Sequence, residues 1–116
     1  MVIGGRNTQW NLSVSPTEAK GNLYIPSLDK WGAPFQLKIT KPDLLLYKNF
    51  TIDILKKRVL HQENIAFTPQ SNPDTYSIFI EEVPYPGDRT ITYTIVVKFR
   101  DRTLSKDVRI IYSRLP

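Results

Sequence analysis

The chain has 116 residues, 41% of them hydrophobic and 23% charged, with a net charge of +5; this is the size and composition of one globular domain that buries roughly two-thirds of its unfolded surface. It holds no cysteine and a single histidine, which excludes disulfides, thiolate zinc sites, iron–sulfur clusters, cysteine nucleophiles and multi-histidine metal sites. Nine prolines fall between apolar runs, as in a protein with many strands and many turns.

Met1-Val2-Ile3-Gly4-Gly5-Arg6 lacks the hydrophobic stretch of a signal peptide, and no run approaches the roughly 20 apolar residues of a membrane-spanning helix. Residues 1–7 are expected to be a flexible N-terminal segment, and 8–116 a single β-sandwich domain. Trp10, Leu12 and Val14 alternate as an early strand closed by Pro16. Phe35, Leu37 and Ile39 alternate with Gln36, Lys38 and Thr40, and Phe50, Ile52 and Ile54 with Thr51, Asp53 and Leu55; a period of two is the mark of a strand. Between them, Leu44-Leu45-Leu46-Tyr47 fits a buried strand better than a helical turn.

Val59-Leu60 and Ile65-Ala66-Phe67 read as a short strand pair or a bulged strand, followed by a loop from Pro69 to Asp74. Tyr76, Ile78 and Ile80 form a further strand, which ends in the turn Val83-Pro84-Tyr85-Pro86-Gly87-Asp88. The most regular signal follows: Ile91, Tyr93, Ile95, Val97 and Phe99 project to one side, against Thr92, Thr94, Val96, Lys98 and Arg100 on the other. Asp101-Arg102-Thr103 interrupts it, and Val108, Ile110 and Tyr112 resume it, so the pair predicts a hairpin. No window carries a long helical stripe, and parallel βαβ folds are set aside.

The segment from Tyr85 to Asp101 resembles the closing half of immunoglobulin-like and fibronectin-like modules, where a Pro-Gly-Asp turn leads into an alternating penultimate strand and a final hairpin. Tyr93, two residues before Ile95, stands where those folds place a tyrosine corner. The resemblance implies an immunoglobulin-like antiparallel β-sandwich of about seven strands. With no cysteine pair, and with Trp10 and Trp31 both early, it is a likeness to the superfold and carries no function with it.

No residue pattern announces a reaction. His61 lies beside Gln62 and Glu63 with no nucleophile-elbow serine, so it reads as a loop histidine. Glu81 and Glu82 are neighbours on a strand and face opposite ways, a poor geometry for paired carboxylates, and Asp53 reads as part of a solvated strand face. Asp74, Asp88 and Asp101 form no spaced calcium loop; the scattered glycines form no phosphate cradle. No cofactor and no metal are expected. Asn11-Leu12-Ser13 and Asn49-Phe50-Thr51 match the N-glycosylation pattern at about the frequency of chance.

The surface offers two kinds of candidate. Tyr85, between two prolines at a loop tip, is the aromatic most expected to be exposed for a partner. Lys56, Lys57, Arg58, Lys98, Arg100, Arg102, Lys106 and Arg109 form a basic surface if their strands are neighbours, although such residues also guard strand edges. The expected function is that of a non-enzymatic protein-interaction or structural spacer module in a larger assembly, using loops or a sheet edge to meet a protein partner or neighbouring domains. The alternative is a basic domain that binds nucleic acid or another polyanion. An abrupt end after Tyr112 fits a module excised from a longer protein, an origin that favours a surface-associated location. A cavity lined by convergent titratable groups would oppose the non-enzymatic reading.

Overall fold

The protein is described here by a computed structural model covering residues 10–40, 49–71, 74–100 and 102–113. The expectations for residues 1–7, for Leu44 to Tyr47 and for Asp101 lie outside these. Among the described residues there are ten strands and no helix: β1 (Asn11–Ser15), β2 (Glu18–Lys20), β3 (Leu23–Ile25), β4 (Lys30–Thr40), β5 (Thr51–Lys56), β6 (Val59–Gln62), β7 (Thr68–Pro69), β8 (Thr75–Glu81), β9 (Arg89–Lys98) and β10 (Thr103–Tyr112). Three of them, β2, β3 and β7, are two or three residues long. The seven longer ones include every described alternating run in the sequence.

The strands form two sheets. One has the order β1-β4-β8-β7, with β3 also pairing β4; the other runs β2-β10-β9-β5-β6. Every pairing is antiparallel except β2 with β10. Alternation explains why the sheets stack. Leu12, Val14, Ala33, Phe35, Leu37, Ile39, Ile78 and Ile80 are buried from the first sheet, and Ile52, Ile54, Ile91, Tyr93, Ile95, Val97, Val108, Ile110 and Tyr112 from the second. Each set comes from every second residue, so pleating sends one apolar face of each sheet into a shared core.

β4 is longer than its Phe35 to Thr40 pattern suggests because it runs through Gly32 and Pro34, two residues that usually end strands. Each is accommodated locally. β3 pairs β4 only as far as Gly32 and β1 begins at Gln36, so the ring nitrogen of Pro34 faces a gap and forfeits no ladder bond. Gly32 has φ 151° and sits so close to β8 that a β-carbon would lie 2.0 Å from the Ile80 carbonyl oxygen.

The sandwich has two unlike ends. At one, Trp10, Phe50, Phe67, Tyr76 and Phe99 close the core in a cluster of stacked and edge-on rings 4.8 to 5.5 Å apart. At the other, the turn at residues 26–29 joins β3 to β4, Lys57 and Arg58 turn β5 into β6, and residues 82–88 cross from β8 to β9. This second end, termed the hairpin end, carries the candidate site.

Candidate functional site

Beneath the hairpin end lies a buried carboxylate. Glu82 follows the last residue of β8, where its N–H donates to the Trp31 carbonyl at 3.0 Å, and its side chain turns under the loop into the space between the sheets. Glu82 Oε1 accepts from the Tyr93 hydroxyl at 2.6 Å and from Lys56 Nζ at 2.6 Å, while Oε2 accepts from the Val83 N–H at 3.1 Å. Tyr112 Oη lies 3.3 Å from Tyr93 Oη. Lys56 also donates to Tyr85 Oη at 2.9 Å, and the Tyr85 ring packs edge-on against Tyr112 with centroids 4.7 Å apart.

Burial works against a charge on Glu82, yet the hydrogen bonds from Lys56 and Tyr93 and the charge of Lys56 outweigh it and hold the carboxyl below its usual range. For Lys56 the balance is similar: burial opposes the charge, and Glu82 with Tyr85 restores and raises it. Burial and the carboxylate hydrogen bond push the Tyr93 phenol far above its ordinary value. Burial, partly offset by the Tyr93 hydrogen bond, pushes Tyr112 up to about 12. At neutral pH the cluster is therefore an ion pair with two protonated phenols beside it, and its protons are fixed in place.

The structure redistributes the residues singled out in the sequence. Tyr85 is half-buried rather than exposed at a loop tip, because Asn22 clamps its main chain: Tyr85 N–H donates to Asn22 Oδ1 at 2.8 Å, and Asn22 Nδ2 donates to the Tyr85 carbonyl at 3.0 Å and to the Ser113 carbonyl at 3.1 Å. Proline on either side had suggested a free tip, and the distant Asn22 gives no sequence signal. Lys56 turns inward to Glu82, while Lys57 and Arg58 form the exposed two-residue turn, both with positive φ (52° and 68°). Arg102 stacks over Trp10 at 4.2 Å and accepts the Phe99 N–H through its carbonyl at 2.8 Å; Arg100 is exposed beside it.

Lys57 and Arg58 therefore lie at the opposite end from Arg100 and Arg102, with Lys106 and Arg109 on β10 between them. Lys57 N–H reaches the Thr92 carbonyl, and Lys98, six positions further along β9 and two before Arg100, is roughly 20 Å away in an extended strand. Elsewhere Lys98 bonds Asp53 at 2.7 Å and Arg109 pairs with Glu18. Asp53 is not on a solvated face: it is buried, accepts the Asn64 N–H at 2.8 Å, and is held below the usual carboxylate range by Lys98. The chain after β6 folds back over it, with Ile65 N–H donating to the Ile52 carbonyl at 2.9 Å.

His61 is not a free loop histidine. It sits on β6, and its Nε2 donates to the Glu81 carbonyl at 2.6 Å, 3.7 Å from Glu82 Oε1. It lines a cleft of about 440 Å³ with Asp29, Lys30, Trp31, Gln62, Glu81 and Glu82, bounded by Val83 and Pro84. Titratable groups do converge there, and they are largely bonded to one another: Lys30 pairs with Glu81 at 2.9 Å, Tyr24 Oη donates to Asp29 at 2.5 Å, and Glu82 is held from below. Glu81 and Glu82 face opposite ways, as strand geometry requires. Among the described residues no group of three or more His, Asp or Glu is placed to hold a metal ion.

No family model, no curated protein and no solved structure matched the chain.

Around the cleft, apolar side chains are left uncovered. Among the described residues the exposed large hydrophobic ones are Leu23, Tyr24, Leu28, Trp31, Val59, Leu60, Val83 and Ile111. All lie in the half of the sandwich nearer the hairpin end. Trp31 is 38% exposed and packs at a tilt against Tyr24 with ring centroids 5.3 Å apart, and Val83 and Val59 are 66% and 67% exposed.

Proposed function

We propose that the protein is a non-enzymatic interaction module whose partner-facing surface is the hairpin end. One observation carries the reading: among the described residues, the exposed large apolar side chains gather at this end, on the β3–β4 hairpin, the start of β6 and the loop after β8, with Ile111 near the end of β10. Apolar surface gathered on the loops of a rigid scaffold is characteristic of a protein-binding site. The ion pair beneath it supports the role, because Lys56, Glu82, Tyr85 and Asn22 fasten the loop of residues 82–88 to both sheets and present Val83 and Trp31 on a fixed frame.

The strand order supports an immunoglobulin-like reading of the sandwich. The first edge strand is split, β1 pairing β4 in one sheet and β2 running parallel to β10 in the other, as expected when an edge strand crosses between two Greek-key sheets. Tyr93 differs from a tyrosine corner in donating to a carboxylate rather than to main chain.

The test is affinity enrichment from source cells with the protein and with a Trp31→Ser/Val83→Ser variant. A discrete partner retained by the protein and by an Arg100→Ser/Arg102→Ser variant, and lost with the first variant, is expected. Retention by all three opposes the assignment.

A second reading rests on the cleft itself, where His61 would act as acid or base in a small enzyme. It draws on the convergence of His61, Glu81 and Glu82, and is opposed by the engagement of the Glu82 carboxylate with Lys56, the Tyr93 hydroxyl and the Val83 N–H. A hydrolase screen in which His61→Ala abolishes turnover would favour it.

A further inference from the structure

The hairpin end carries charge as well as apolar surface, and the two are segregated. Its exposed cations belong to the second sheet: Lys20 closes β2, Lys57 and Arg58 turn β5 into β6, and Arg89 opens β9. Its exposed rings and its loop valine belong to the first: Tyr24 is on β3, Trp31 on β4 and Val83 just after β8. Val59 and Ile111 extend the apolar surface into the cationic half, Val59 following Arg58 in the chain and Ile111 pairing with Lys20.

Acids and bases are unequally engaged at this end. Glu82 is held by Lys56, Glu81 by Lys30 and Glu18 by Arg109, Asp29 accepts from Tyr24, and Asp88 has a partner of its own. Lys20, Lys57 and Arg58 form no ion pair among the described residues, and Arg89 meets the face of the Tyr85 ring at 5.1 Å. The charge left after internal pairing is therefore positive and lies on the second sheet. From Lys20 on β2, across β10 and β9, to Lys57 at the end of β5 is a distance of about 14 Å, the length of about four extended residues.

We propose that the hairpin end binds a linear acidic segment of a partner protein, anchored by an apolar residue against Trp31 and Val83, with its carboxylates over Lys20, Arg89 and the Lys57-Arg58 turn. The proposal rests on the interaction-module reading and adds the chemistry of the partner. Charge complementarity selects it: acidic side chains neutralise the unpaired cations, whereas a second copy of this chain meeting the same surface would set like charges against each other. Carboxylates on alternate residues of an extended segment lie about 7 Å apart on one side, so about three cover the cationic strip. An anionic bilayer offers the same charge, but a flat surface pressed onto Trp31 and Val83 dehydrates Asp29 and the Lys30–Glu81 pair in the cleft they line together. A narrow segment leaves those groups in water.

The experiment is a titration of the ¹⁵N-labelled protein with the blocked peptide Ac-Leu-Phe-Gly-Asp-Glu-Asp-Glu-Asp-NH₂ up to about 5 mM. The Trp31 indole N–H and the Arg58 and Arg89 amides are expected to move together and saturate, with affinity falling at least about threefold between about 0.05 and 0.5 M salt. Lys20→Glu/Lys57→Glu, at exposed positions, is expected to weaken binding at least about tenfold, and Arg100→Glu, at the opposite end, to leave it unchanged. A peptide that moves none of these signals, or equal weakening in Arg100→Glu, overturns the proposal. So does binding to phosphatidylcholine vesicles with about 30% phosphatidylserine by a protein that ignores the peptide. If the peptide with Asn and Gln in place of its acids binds as tightly, the acidic partner falls while the apolar surface stands. The interaction-module reading itself is tested separately, by enrichment through Trp31 and Val83.

Discussion

Replacing Glu82 by glutamine tests whether the buried ion pair fastens the hairpin end. The substitution keeps the shape and an acceptor for the Tyr93 hydroxyl, and removes the charge that faces Lys56 at 2.6 Å. A broken buried pair costs about 3–5 kcal/mol when the surviving charge stays buried. Lys56 keeps 24% side-chain exposure and regains part of its hydration, so the expected loss is about 2–3 kcal/mol, near the value of a charged hydrogen bond. For a domain of this length that lowers Tm by roughly 10 °C. The assay is thermal and urea unfolding followed by circular dichroism, with Lys56→Met and the double variant completing a cycle. A coupling of at least about 1 kcal/mol is expected. A Tm unchanged in Glu82→Gln, or single effects that simply add, would refute the account of the pair.

Three further outcomes are expected. Glu82 and Asp53 both have lowered folded-state values, so their stabilisation is complete above the unfolded carboxylate range of about 4 and is lost as pH falls through the lower folded values; the urea midpoint should be flat from pH 7 to about 5 and fall below, less steeply in Asp53→Asn. Gly32→Ala should cost about 3 kcal/mol or more, since its β-carbon meets the Ile80 carbonyl at 2.0 Å with φ at 151°, read as a lowered urea midpoint. Arg58→Gly should raise that midpoint by about 0.5–1 kcal/mol in stability, because glycine relieves the left-handed conformation at φ 68° at a smaller cost in chain entropy.

The long strands were legible because each has one face in the core. Ile91, Tyr93, Ile95 and Val97 alternate in the sequence and are buried in β9, and the β9–β10 hairpin follows from the same period. What escaped depends on partners far along the chain. β3 has only three residues and is held by β4; β2 is held by β10; neither is long enough to show a period. The Lys57-Arg58 turn has both residues at positive φ, where asparagine and glycine are usual, so a hairpin turn read as a charge cluster. The same blindness hid the site. Glu82 and His61 looked like exposed neighbours of other charges, and only the approach of β5, β6 and β9 to the end of β8 brings Lys56, His61 and Tyr93 around one carboxylate.

Site-specific photo-crosslinking in source cells tests the central assignment most directly. With a benzophenone side chain at Val83, and in parallel at Arg100 on the opposite end, the account predicts a discrete protein adduct at Val83 and none at Arg100. Adducts confined to Arg100, or a Val83 position that captures nothing while the protein is folded, would contradict it.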